Sequence, residues 1–392
     1  MANETNFTFT ELVAYKEATE NTIPTNPKGL VVSGVINCTL KDTQKTETNP
    51  TLSAGGQASR KDRGSSDFAG NIECKTMGAI MPFIVTHILG DATKTNVTAE
   101  AWVTTTAYEA FNPFTLTGDI LAHTDGTHDL VCKVGGTSGA TIPSMVGKVS
   151  GDTVIDGTVT WIVRNKLKKY VGYSEPCLKT FGAEFSADAG CGSASTFKKR
   201  FAGCFLNSYE ISKASGTIIH KYSLPVVAMS GTDNVADTAF ASVKDAVGYT
   251  SQTLEESPFK YDDLMVQVGG AEPVNGRSFR MMINRNVALV DAVAQNIKVS
   301  NIPQMTVEGE ISLKFTKEQY LSAYNNDSAV VKALFGKING DIAHFTFNYV
   351  EKDRVDPDFS TNEPAYLTIP LTASGDNVTK TIAYTVYSET DY

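Results

Sequence analysis

The side chains able to do chemistry are few, and their spacing does not suit it. Five histidines occur in 392 residues, with no H-E-x-x-H run and no i, i+4 helical pair, so a zinc site or a helix-borne general base has no frame to sit on. His123 and His128 flank Asp125-Gly126, the signature of a hairpin turn, with a metal site there as the minor alternative. Cysteines 38, 74, 132, 177, 191 and 204 form no C-x-x-C pair; they read as buried thiols of a reducing cytoplasm, with Cys191 and Cys204 the one pair left open for a disulfide. Gly136-Thr-Ser-Gly-Ala140 fails as a nucleophile elbow at its last position. No Walker loop is present, no G-x-G-x-x-G follows a strand, and Gly190-Cys-Gly192 is a bare turn signal. Carboxylates are numerous but dispersed, which fits solvated strand faces better than a glycosidase pair. The expectation is a non-enzyme with no catalytic residue, no metal and no cofactor.

Two stretches invite a binding role. In Ser53-Ala-Gly-Gly-Gln-Ala-Ser-Arg-Lys-Asp-Arg63 the glycines expose backbone N–H groups beside three cations, as in a phosphate nest. The next residues are strand-like, so no helix dipole completes such a site. Arg60, Lys61, Asp62 and Arg63 are read instead as contacts between subunits, with a solvated loop as the competing reading. Trp102, Tyr108 and Trp161 could form a platform for a sugar ring, although aromatics in so small a β segment more often make its core.

At the level of the whole chain, a net charge of −9 with one tight basic cluster argues against sequence-reading nucleic-acid binding. The length leads us to expect two or three domains. The opening residues lack a basic n-region and an apolar h-region, and the apolar segment 77–89, interrupted by Pro82 and His87, is too short to span a bilayer; no secretion signal or membrane insertion is expected.

Residues 68–74 alternate apolar with polar and run into that segment, so a strand leading into a helix is predicted. The unit recurs at 307–315: Gly70 matches Gly309, Ile72 matches Ile311 and Lys75 matches Lys314 at one spacing of 239 residues. Residues 30–40 likewise resemble 277–288 through Val35-Ile-Asn37 and Met282-Ile-Asn284. Each half reads as strand, long loop, strand, helix, strand, hairpin, an order that marks a duplicated chain. The expected organisation is an N-terminal arm at 1–28, a first unit at 29–100 and 164–230, a small all-β insert at 101–163, a helix-prone linker at 231–258 and a second unit at 259–392. The fold class is mainly β (α+β), with duplicated sandwich or barrel units, each carrying one helix packed on its sheet, plus the inserted β module.

Gln57-Ala-Ser-Arg-Lys-Asp-Arg-Gly64 leading into Asp67-Phe-Ala-Gly-Asn-Ile72 and an apolar helix resembles the major tail tube proteins of long-tailed bacteriophages, as does Phe201-Ala-Gly-Cys-Phe-Leu-Asn-Ser-Tyr-Glu-Ile211. The insert resembles small carbohydrate-binding-like modules of phage structural proteins. The likeness implies a virion tail protein, made in the host cytoplasm, whose open sheet edges join copies into rings. With two tube domains per chain it implies a homotrimer of pseudo-sixfold symmetry. Such rings would stack through 41–64 and 289–304 into a conduit for DNA ejection. The implied partners are other copies, the tape measure, tail terminator and distal tail proteins, and genomic DNA passing an acidic lumen without tight binding; surface glycans are a further candidate through the insert. An outward-projecting insert favours a non-contractile, siphovirus-type tail. The other classes considered are a multi-module carbohydrate-binding surface protein and a hydrolase with a cryptic carboxylate pair, for which the sequence nominates no residue.

Overall fold

The alternation at 68–74 does make a strand, but one that runs much further. The computed structural model describes the chain except at residues 1–7, 33–34, 53–57, 91, 98, 189–195, 235–239, 254–256, 273–275, 292–297, 302–303, 319–320, 322–324, 326–327, 356–365 and 376–379. In it the strand is Ala58–Lys75, antiparallel to Lys41–Leu52 from Lys41↔Ala69 to Leu52↔Ala58. Most of 41–64, expected as a loop, is therefore a β-ribbon; its Thr- and charge-rich composition lacks the apolar alternation that marks a half-buried strand. The later long loop is also a hairpin, Ala288–Asp291 against Lys298–Asn301.

Two large sheets carry the fold. The nine-stranded first sheet runs Thr250–Thr253, Lys28–Val31, Thr8–Lys16, Phe181–Asp188, Thr196–Leu206, Lys221–Asp233, Ala58–Lys75 and Val35–Cys38, with Lys41–Leu52 also on Ala58–Lys75. The ten-stranded second sheet runs Ser208–Ala214, Gly276–Asn284, Thr306–Lys314, Tyr366–Ala373, Ile342–Lys352, Ile382–Ser388, Lys168–Tyr173 and Thr93–Asn96, with Ala329–Gly336 and then Leu264–Val268 branching from Ile342–Lys352. The sheets do not follow the two halves of the sequence: Thr93–Asn96, Lys168–Tyr173 and Ser208–Ala214 come from the first half and hydrogen-bond into the second sheet. At Asn207 the chain leaves one sheet for the other. One continuous hydrophobic core joins them, from Leu12 and Phe201 to Ile311 and Val386.

The predicted helix is present as a 3₁₀ turn, Gly78–Ile80, and an α-helix, Met81–Ile88. Pro82 sits in its first turn, where the missing N–H costs nothing, and Gly90 (φ 118°) follows its end as the residue that tolerates such a backbone. Every residue of the helix is buried. It packs on Thr196–Leu206 of the first sheet and Ile382–Ser388 of the second, so it fills the interior rather than covering an outer side. The matching helix expected in the second half is not formed as predicted: Ala329–Gly336 is a strand paired with Ile342–Lys352, and the described helical residues there are Lys317, Glu318 and Leu321. β-Branched Val330 and Val331 and the turn before Asp341 favour the hairpin.

Three further expectations are corrected. Residues 8–16, assigned to an unpacked arm, form Thr8–Lys16, with Leu12 to Tyr15 buried. The linker, expected as helix-prone, holds a 3₁₀ turn, Val243–Asp245, and Thr250–Thr253 in parallel with Lys28–Val31. Buried Glu184 anchors it, accepting from the Ser242 hydroxyl and from the Val243 N–H at 2.8 Å. Tyr366–Ala373 and Ile382–Ser388, expected as one hairpin, do not pair; each binds a different stretch of Ile342–Lys352.

Residues 100–165 make a five-stranded sheet, Thr153–Asp156, Val159–Asn165, His128–Val134, Ile120–Ala122 and Glu100–Ala101, and a two-stranded one, Ala107–Tyr108 with Gly136–Thr137. They have a core of their own around Leu121, Leu130, Cys132 and Trp161.

Candidate assembly surfaces and the insert joint

Ala58–Lys75 pairs with the body of the first sheet only from Phe68↔Ala228 to Lys75↔Lys221. Beyond Phe68 its one described neighbour is Lys41–Leu52, so Arg60, Lys61, Asp62 and Arg63 lie on a two-stranded ribbon opposite Asn49, Thr48, Glu47 and Thr46. A ribbon of two strands is marginal in isolation and gains stability from a third surface. Among the described residues the sheets also end in strands bonded on one side only: Thr250–Thr253 in the first, and Thr93–Asn96, exposed at all four residues, in the second. Such edges are templates for another chain.

The solvent face of the second sheet is polar. Glu308, Glu310, Thr368 and Thr372 are exposed while Val307, Ile311, Ile369 and Leu371 between them are buried. Arg280 on the neighbouring strand donates to Glu210 at 2.8 Å. In the first sheet the corresponding place holds Asn71, which accepts from Ser223 Oγ at 2.7 Å, and Glu73.

Of the three aromatics considered as a sugar platform, Trp161 is fully buried and Tyr108 packs edge-on against it, ring centroids 5.1 Å apart. Trp102 lies at the margin of that core. One carboxylate holds both indoles: Asp156 Oδ2 accepts from Trp102 Nε1 at 2.8 Å and Trp161 Nε1 at 3.2 Å, and Oδ1 accepts from the Gly139 N–H at 2.7 Å. These contacts satisfy a carboxylate that is 4 % exposed. His123 and His128 lie in a hairpin, Ile120–Ala122 with His128–Val134, turning through Gly126 at φ 75°. Burial pushes the Asp125 carboxyl up, but the His128 imidazole at 2.6 Å and the backbone N–H groups of Thr127 and His128 outweigh it and hold it well below its usual range.

Among the described residues no group of three His, Cys, Asp or Glu could hold a metal ion. The described cysteines, 38, 74, 132, 177 and 204, are free thiols, and Cys191 lies outside the described residues. Burial pushes Cys74 up to about 12 and Cys132 up to about 11, which keeps both as inert thiols.

The joint between the insert and the second sheet is not legible in the sequence. Arg164, at the end of Val159–Asn165, donates from Nη2 to Asp341 at 2.5 Å and from Nε to Glu389, and the pair Arg164–Asp341 is buried. Asp341 also accepts from Ser388 Oγ, and Glu389 accepts from Ser150 Oγ and, at 2.8 Å, from Asn165 Nδ2. Apolar contacts surround this network: Phe111, Ile120, Val131 and Ile162 pack on Leu167 and Ile342. The residues after Glu389 tie in the rest of the fold. Thr390 Oγ1 donates to Ala79 O at 2.8 Å, Asp391 pairs with Lys94 and Lys28, and the Tyr392 hydroxyl meets His87 Nε2 at 2.7 Å while His87 Nδ1 donates to Lys179 O.

His344 adds a pH-sensitive contact to this joint, its Nε2 donating to Pro113 O at 2.8 Å. Burial, and secondarily Lys332, bring its pKa down to about 4 from 6.5 although the bond to Pro113 opposes this. The folded state therefore excludes a proton that the unfolded chain takes up, and stability present above pH 6.5 is lost as pH falls towards 4. The loss attributable to this residue is on the order of 3 kcal/mol. In urea melts at about pH 7 and about pH 4.5, His344→Gln should show a smaller pH-dependent loss than the parent; equal losses would remove His344 as the cause.

These features define a mainly β protein whose described residues include open sheet edges and an extended two-stranded ribbon. The sequence profile of the phage tail tube protein family matches residues 10–383, and the chain belongs to that family. A search among individual curated proteins finds no match. Tail tube proteins are structural components of the virion tail.

Proposed function

We propose that copies of this chain join through their sheet edges into rings, and that rings stack into the tube through which DNA is ejected. The observation that carries the reading is the ribbon Lys41–Leu52/Ala58–Lys75, which runs past the body of its sheet with strand edges unpaired among the described residues, on a chain whose two sheets also end in open strands. Arg60, Lys61, Asp62 and Arg63 on the ribbon, together with the hairpin Ala288–Asp291/Lys298–Asn301, make the contacts between rings. Two tube units per chain, reflected in the spacing of Gly70 and Gly309, give a homotrimer with pseudo-sixfold symmetry. The polar faces bearing Glu73 and Asn71, and Glu308 and Glu310, line the channel, where carboxylates repel the phosphate backbone and keep DNA from sticking. The tape measure, terminator and distal tail proteins are the other partners, and the assembly follows synthesis in the host cytoplasm.

The aromatics of the insert serve its packing, since Trp161 and Tyr108 present no free ring face. A bulky insert on the outside of the tube leaves no room for a sheath, so the tail is non-contractile. Negative-stain electron microscopy of the purified chain, with mass by light scattering, tests the reading: rings of three chains or open tubes are expected, and a monodisperse monomer at high concentration would sink it. A sheath around the native tube would refute the non-contractile tail alone.

A further inference from the structure

Where asparagine or aspartate precedes glycine, its side-chain carbonyl is unusually open to attack by the next backbone nitrogen, because glycine has no Cβ to block the approach. The sequence holds four such pairs, at 125–126, 156–157, 275–276 and 339–340, and the structure separates them. Asp156 is buried, with both oxygens bound to the indoles and the Gly139 N–H. Asp125 is held ionised by His128 and two backbone N–H groups, and a carboxylate is a poor electrophile. Asn275 lies outside the described residues. Asn339 is exposed in the turn between Ala329–Gly336 and Ile342–Lys352, and its side chain makes no hydrogen bond among the described residues. The N–H of Gly340 meets Lys337 O at 3.4 Å, the weak end of a hydrogen bond.

We propose that Asn339 is a site of spontaneous deamidation that loosens the joint between the insert and the body as the protein ages. The Gly340 backbone nitrogen, having lost its proton to hydroxide, attacks the Asn339 side-chain carbonyl carbon. A nitrogen–carbon bond forms, the side-chain amide takes a proton from water and leaves as ammonia, hydroxide is regenerated, and a five-membered succinimide remains. Water opens that ring at either carbonyl, giving aspartate or, with the main chain rerouted through the side chain, isoaspartate. The position makes the product matter. Ile338 and Ile342 on either side pack in the apolar cluster that joins the insert to the body, and Asp341 holds Arg164. Isoaspartate puts an extra methylene in the main chain between them, so the two isoleucines and the carboxylate cannot all keep their places. Close packing makes such shifts costly. The inference does not depend on the ring and tube reading. In a virion the change accumulates, because an assembled subunit is not replaced.

The test holds the full-length parent and Asn339→Gln in mildly alkaline and mildly acidic buffer, with urea-unfolded parent in the alkaline buffer as reference. Peptide mass spectrometry and isoaspartyl methyltransferase labelling read residue 339, while thermal melting and hydrogen exchange read the joint. Glutamine has to close a six-membered ring and reacts far more slowly. The native parent should form product at residue 339 severalfold faster in alkaline than in acidic buffer. The aged parent should then melt lower and exchange faster at the joint, and aged Asn339→Gln should do neither. Freshly purified Asn339→Asp, which adds the charge without the extra main-chain atom, should melt as the fresh parent does. Residue 339 intact in the native protein while the unfolded chain reacts would overturn the proposal. So would a parent that carries isoaspartate at 339 and still melts and exchanges as fresh protein, since the joint would then tolerate the longer main chain.

Discussion

Arg164→Met is expected to lower the stability of the chain by about 3–5 kcal/mol, the range for breaking a buried ion pair by removing one partner. Arg164 and Asp341 are 4 % and 2 % exposed. With the guanidinium gone, Asp341 keeps the Ser388 hydroxyl and the Glu389 N–H at 3.3 Å and loses the charge that faces it from Arg164. The carboxylate would then be costly to keep ionised in a dry site. Adding Asp341→Asn should return a large part of the loss, because the amide needs no counter-charge. Urea unfolding of the parent, both single variants and the double variant gives the coupling directly. A cost below about 1 kcal/mol for Arg164→Met would show that the joint is held by Phe111, Ile162 and Ile342 instead. The consequence reaches beyond stability: an insert fixed by a buried charge network holds one orientation on the body of the chain.

The second large effect is expected at the two glycines that mark the repeat. A Cβ at Gly309 would lie 2.1 Å from Arg280 O, and one at Gly70 would lie 2.5 Å from Thr39 O and 2.6 Å from Leu40 Cα. At Gly309 the obstacle is the backbone of the neighbouring strand Gly276–Asn284, and at Gly70 it is the backbone of the connection at residues 39–40 between Val35–Cys38 and Lys41–Leu52; neither can rotate away as a side chain can. Gly309→Ala and Gly70→Ala should each cost about 1–3 kcal/mol through overpacking, with Gly309 the worse of the two. Glu308→Ala, on the exposed face beside Gly309, is the control and should change stability by less than about 0.5 kcal/mol. Thermal melts of the three variants check this; an unchanged melt for both glycine variants would show that the strands can shift apart freely and that the shared spacing has no packing cause.

The glycines and the buried arginine differ in how far their roles can be read from the chain alone. The two matching strands are legible because a strand buried on one face must alternate, so Ile72 and Ile311 stand out in any window, and both are buried. The helix at 81–88 is legible from its apolar run, its proline and its terminal glycine. The ribbon at 41–64 is not, because it lacks apolar alternation, and the expected second helix fails because short apolar runs suit a helix or a buried strand equally. The tryptophans are visible, but the carboxylate that holds them, Asp156, lies 54 residues from Trp102 in sequence and carries no local signature.

The sequence by itself determined the secondary-structure class, the absence of a recognisable catalytic motif, the strand signature shared by Gly70 and Gly309 and the likeness to tail tube proteins, because these depend on local periodicity, on short motifs and on their order. Only the tertiary structure decided that strands of the first half complete the second sheet, that the helix is enclosed by both sheets, and that Arg164 meets Asp341 and Glu389. Those outcomes depend on pairing between distant segments, as in the Arg164 contacts to residues 177 and 225 positions further along. Each partner there is an ordinary surface-type residue until the fold removes its water, so its role is set by burial and not by its neighbours in the chain.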